Sequence, residues 1–245
     1  MRSLKAPFRP QPAQQEALAR MRYAVDHRWR LVLLFGPPGC GKTVVQRGFV
    51  AEVRQQGTPV AFVSLLGTSP SEVAWSILAD WGRNPPPTCE LSHAWRELSD
   101  QLTEFRYQQQ PAVLVGDDAD LATPETLLFI QRVLATDSPP TMILALDWLS
   151  RSRLPRRILE QADLRIDLEP WSPEETAKAL LPIPGNELVT PLTAAAVSRV
   201  HDLADGLPRK ILQLAELARI AARGQDLACI EPETIEQVKQ ELAVR

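Results

Sequence analysis

The sequence predicts an α/β fold: a parallel sheet with helices on both faces, followed by a small all-helical domain. Three observations predict it. Short apolar runs stand at 31–35, 60–66, 112–115 and 142–146, and strands covered on both faces read as unbroken apolar runs rather than alternating ones. Helically spaced patterns lie between these runs, as they must when parallel strands are joined by crossover helices. After Pro170 no further apolar strand pattern occurs, and only helical patterns continue.

Taken in order, the first run, Leu31 to Phe35, ends at Gly36 and reads as a buried strand. The helix after it places Val45, Phe49 and Val53 on one face at four-residue steps. The clearest amphipathic stripe is Leu91, Trp95, Leu98, Leu102 and Phe105. Residues 83–88 form a loop between two helices. Ser69-Pro70-Ser71-Glu72 and Ser172-Pro173-Glu174-Glu175 each offer a serine N-cap, a proline at the first helical position and a glutamate closing a capping box. Thr123-Pro124-Glu125 is a third start of this kind without the full box. The tail reads as helices at 173–181, 192–203, 208–223 and 232–242. In the third of these, Ile211, Leu214, Ala215 and Ala218 form one apolar stripe, and Gly224 stops it. The expected domains are therefore 1–170 and 171–245.

Bulk composition narrows the function classes. The chain has 245 residues, 44% of them hydrophobic, which suffices for a normal core. A net charge of -3 does not indicate a dedicated nucleic-acid binder. The first thirty residues are basic, with Arg2, Lys5, Arg9, Arg20, Arg22, Arg28 and Arg30 against Glu16 and Asp26. A polyanion contact and a solvated basic face both account for this. Cys40, Cys89 and Cys229 are widely spaced and form neither a disulfide framework nor a zinc pattern. His27, His93 and His201 show no metal spacing. No leader pattern stands at the N-terminus, and no apolar run approaches the roughly 20 residues that span a bilayer. The expectation is a cytoplasmic protein without direct membrane insertion.

Chemistry concentrates at Gly36-Pro37-Pro38-Gly39-Cys40-Gly41-Lys42-Thr43, which matches the phosphate-binding loop pattern in full. Glycines let the backbone turn its N–H groups inward around an anion. The helix that follows points its positive end at the same place. Lys42 adds a charge near the β- and γ-phosphates, and the Thr43 hydroxyl can hold Mg²⁺. Cys40 needs only its backbone there, although thiol modification at that position would block nucleotide. Asp117 and Asp118 follow a strand expected to neighbour the loop strand. Asp117 is the candidate Mg²⁺ residue and Asp118 the candidate for polarising the attacking water. Arg209, at the start of a tail helix, either senses a γ-phosphate or is solvated. Arg151, Arg153, Arg156 and Arg157 leave three readings open: an arginine finger, a nucleic-acid contact, or a solvated loop.

In order, Pro7-Phe8, GPPGCGKT, VLVGDDADL, LRIDLEPWSPEET and GLPRKILQLAELA resemble the AAA+ ATPases of the ExeA/GspA type from bacterial secretion systems. Transposition ATPases of the TniB and TnsC type share much of this layout. The resemblance covers about residue 6 to residue 242. It implies a P-loop ATPase core with a helical lid, ATP and Mg²⁺ as ligands, and assembly into a ring or filament that acts on a secretion or transposition partner, with DNA as an alternative ligand. It makes Asp117 the Walker B metal residue, Asp118 the counterpart of the catalytic glutamate, and Arg209 the sensor-2 arginine. The nucleotide-binding set is then Phe8, residues 36–43, Val44 and Arg209. Three positions depart from the family. Asp118 is one methylene shorter than glutamate, which implies slow hydrolysis or a switch with negligible turnover. Gln161 stands where an arginine precedes the strand into the lid, leaving Arg156 or Arg157 as the finger. Leu146 ends the fourth strand, with Asp147 the nearest sensor-1 candidate.

Overall fold

The computed structural model describes residues 10–86, 89–180 and 190–243. In chain order the elements are α1 (Pro12–Asp26), β1 (Leu31–Phe35), α2 (Lys42–Gln55), β2 (Val60–Ser64), α3 (Pro70–Asp80), α4 (Leu91–Tyr107), β3 (Val113–Asp117), α5 (Pro124–Leu134), β4 (Thr141–Leu146), α6 (Arg156–Glu160) and β5 (Leu164–Asp167). Then come α7 (Pro173–Leu180), α8 (Ala194–Ala204), α9 (Pro208–Gly224) and α10 (Pro232–Ala243). Two 3₁₀ turns, Ala119–Leu121 and Trp148–Arg153, follow β3 and β4.

The five strands form one parallel sheet in the order β2-β3-β4-β1-β5. All five residues of β1 and all six of β4 are buried, which is why both read as unbroken apolar runs. The expected pairing of the Asp117 strand with the loop strand does not occur. The strand carrying Asp117 does not adjoin β1; β4 lies between them, with Leu33 opposite Leu144 and Val115 opposite Ile143. Strand order is a long-range property that apolar runs do not encode. The sheet also has β5, which shows no apolar run. It is an edge strand with only Ile166 buried. Arg165 pairs with Asp167 on the same strand and lies 4.6 Å over the Phe35 ring. Its charged positions hide the apolar signature.

One sheet face buries Leu31, Leu33 and Phe35 with Val73, Ile77 and Leu78 of α3, Leu98 and Leu102 of α4, and Ile130 and Val133 of α5. By the two-residue period, Val32 and Leu34 turn to the opposite face. Helix α2 buries Val45, Phe49 and Val53, as its spacing predicts. Both serine boxes form. Ser69 Oγ accepts from Glu72 N while Glu72 Oε2 accepts from Ser69 N, and Ser172 and Glu175 repeat the exchange. Each such cap stabilises its helix by about 1 kcal/mol. Thr123 Oγ1 accepts from Thr126 N, capping α5.

The described residues form two compact units. One comprises residues 14–37 and 42–168; the other takes in the described residues up to 13, the short segment 38–41, and those from 169 onward. The second unit has its own core, where Ala196, Val200, Ile211, Leu214, Ala215, Ala218, Ile235 and Val238 are buried among α8, α9 and α10. Gly206 adopts φ +68 just before α9, and a Cβ there would meet Trp171 O at 2.6 Å. Only glycine fits this turn. Among the described residues no helix is long and apolar enough to cross a membrane.

Candidate functional site

The loop from β1 to α2 turns through two glycines in the left-handed region, Gly39 at φ +86 and Gly41 at φ +101. Gly36 N donates to Leu146 O, tying the loop's entry to the end of β4. Lys42 is the first residue of α2, so the helix's unpaired N–H groups open at the loop. Its ammonium donates to Gly36 O at 2.7 Å and to Pro37 O at 3.3 Å, which holds the charge over the loop. Cys40 is 1% exposed, so its thiol packs inward, while Val44 is exposed.

Asp117 ends β3 and is 5% exposed. Its carboxylate has two donors. Thr43 Oγ1 gives to Oδ2 at 2.6 Å, and Asp118 N gives to Oδ1 at 3.1 Å. Three residues beyond Thr43 on α2, Gln46 is fully buried and its Nε2 donates to Gly116 O at 3.1 Å. Its Oε1 has no partner among the described residues. Thr43 and Gln46 thus grip consecutive residues of β3 from one helix face. Sequence reading missed Gln46; the signal it carried was a polar residue on the face otherwise marked by Val45, Phe49 and Val53.

Asp118 leaves the strand with φ 53 and ψ 43, a left-handed conformation that aspartate tolerates better than most residues. Burial, then the charges of Asp117 and Asp120, raise its pKa above the usual carboxylate value, with Lys42 opposing. A carboxylate so perturbed is the better proton acceptor. Asp120 accepts from Asp147 N at 3.4 Å, and Asp147 accepts from Leu149 N at 2.9 Å. The Asp147 carboxylate is therefore engaged in capping its own turn.

Of the remaining candidates, Arg156 and Arg157 open α6 and are exposed, as is Arg153. None of the three has an ion pair or hydrogen bond among the described residues, whereas Arg54, Arg83, Arg165 and Arg199 each have an acidic partner. Arg209 N donates to Gly39 O at 3.1 Å, and a Cβ on Gly39 would approach Arg209 Cβ to 3.3 Å. These two residues belong to the same compact unit. Phe8 and the Arg151 side chain lie outside the described residues.

The donors suit a hard cation. A hydroxyl and a carboxylate converge at Thr43 and Asp117, and Mg²⁺ takes only one or two protein oxygens, filling its other positions with water and phosphate. No group of three or more His, Cys, Asp or Glu side chains placed to hold a metal occurs among the described residues.

The model of a family described as "AAA domain" matches residues 25–147. No curated protein sequence matches. Among solved structures, Cdc6p from Pyrobaculum aerophilum is similar with a TM-score of 0.72 at 17% identity, covering 96% of this chain and 69% of that one. The Thermotoga maritima RuvB Holliday junction branch migration motor gives 0.64 at 16% identity, covering 95% and 70%. At these identities the likeness concerns the fold.

Proposed function

The chain belongs to the AAA-domain family, and from that premise we propose that it is a Mg²⁺-dependent ATPase of the ExeA type, working as an oligomeric motor or switch on a protein partner. The observation that carries this reading is the 2.6 Å bond from Thr43 to Asp117 beside an ammonium held over a glycine loop. Loop amides and Lys42 bind the triphosphate, and Thr43 and Asp117 hold Mg²⁺. The cation, when bound, offsets charge on the β- and γ-phosphates. Asp118 orients the attacking water and takes its proton. Arg209 reads the γ-phosphate, and Arg156 or Arg157 serves the nucleotide of a neighbouring subunit. Neither has an acidic partner among the described residues, which supports that role, since an arginine already paired would have to break a bond to act.

The same exposed arginines favour a second reading, a DNA-binding regulator of the TniB or TnsC type. One assay separates the two. ATP turnover is measured for the wild type and for Asp118→Asn, with and without duplex DNA. Turnover independent of DNA and lost in the variant supports the first reading. Turnover or nucleotide retention that requires DNA, and weakens steeply with salt, supports the second. Tight ATP binding without turnover under any condition leaves a nucleotide switch.

A further inference from the structure

We infer that Cys89 and His93 form a reactive thiol site that takes a neutral small-molecule disulfide, a modification site apart from the nucleotide loop and independent of its function. Cys89 Sγ lies 3.2 Å from His93 Nδ1, and the same ring nitrogen lies 3.8 Å from Glu97 Oε1. The three residues recur at four-residue steps along the entry and first turns of α4, so they share one face. A thiol is nucleophilic only as thiolate, and a neighbouring imidazole that accepts its proton supplies that form. Glu97 stabilises the resulting imidazolium. A second acceptor, Glu90 O at 3.6 Å from Sγ, is neutral and cannot keep the proton.

The step balances. His93 Nδ1 accepts the thiol proton, and the Cys89 thiolate attacks one sulfur of the incoming disulfide. A new S–S bond forms as the old one breaks, and the departing thiolate takes the proton from His93. One thiol is released, and an added thiol reverses the reaction. Glu90 and Glu97 flank the thiol in sequence against Arg96 alone, so a neutral disulfide avoids the excess negative charge that an anionic one would meet.

The other two cysteines supply internal standards. Cys229 is exposed, but hydrogen bonding to Glu231, helped by that carboxylate's charge, pushes its thiol pKa up. Cys40 is buried. Cys89 is half-buried, so its place ahead of exposed Cys229 rests on the imidazole 3.2 Å away, and burial puts Cys40 last.

The test treats the full chain with dipyridyl disulfide, a neutral probe, and follows each cysteine by peptide mass spectrometry in the wild type and in His93→Gln. Cys89 is expected to react about tenfold faster than Cys229 and to fall to the Cys229 rate in the variant. Slow labelling of Cys40 in both proteins shows that the fold is intact. Equal wild-type rates at Cys89 and Cys229, or an unchanged Cys89 rate in a folded His93→Gln protein, would overturn the assignment.

Discussion

The Thr43 hydroxyl donates to Asp117 Oδ2 across 2.6 Å, joining the first turn of α2 to the end of a strand two places away in the sheet. Seventy-four positions of sequence separate these two residues. Because β4 stands between β1 and β3, the contact is made from above the sheet by the helix rather than along a strand pair. Helix α2 adds Gln46 to Gly116 O one turn further on, so two bonds fix its position against β3.

Lys42→Ala should weaken ATP binding by about a hundredfold or more, the scale of losing a charge-assisted contact to phosphate. Equilibrium titration with a fluorescent ATP analogue measures it. Wild-type affinity in the variant would remove the basis for the phosphate-loop assignment.

Gln46→Leu keeps the shape of the side chain and removes its bond to Gly116 O. Thermal stability should drop by about 1–3 kcal/mol because a buried carbonyl loses its donor. The Mg²⁺ concentration needed for half-maximal ATP binding should rise at the same time, as Asp117 is the next residue. A loss of stability with an unchanged Mg²⁺ requirement would show that Gln46 supports the core alone.

Asp118→Asn tests the electrostatics. The folded pKa of Asp118 is raised, first by burial and then by Asp117 and Asp120. The folded state therefore holds this proton more tightly than the unfolded chain does. Its contribution to stability is fully present below the unfolded pKa and is lost as pH rises through the raised folded value. Near neutral pH the ionised side chain destabilises the fold, and asparagine, which accepts the same left-handed backbone, relieves this. The Tm of Asp118→Asn should exceed that of the wild type at neutral pH and converge with it below the carboxylate range. An equal or lower Tm at neutral pH contradicts the account.

Two glycine replacements should differ in severity. A Cβ at Gly116 would meet the ends of Leu144 and Leu65 at 2.8 and 2.9 Å, side chains that can shift. Gly116→Ala should then cost about 1–3 kcal/mol, the usual range for overpacking. At Gly206 the added atom meets the Trp171 backbone at 2.6 Å, and φ is +68 as well. Gly206→Ala should cost roughly 2–4 kcal/mol, from backbone strain and clash together. Chemical denaturation of the two variants compares them, and the reverse order would refute the reasoning.

The phosphate loop, the capping boxes and four of the five strands were legible in the sequence because each depends on neighbouring residues. A glycine's φ, a serine's reach to an amide three positions on, and an apolar run are set within a few residues. So too was the pair Asp117-Asp118, placed at a strand end by the run before it. Only the tertiary structure decided that β4 separates this strand from β1, that charged β5 closes the sheet, and that Gln46 and Thr43 grip Gly116 and Asp117 together. It also placed Arg209 N on Gly39 O and Cys89 beside His93. Those arrangements come from packing elements distant in the chain and from the rotamers that packing selects. No local pattern records either of them.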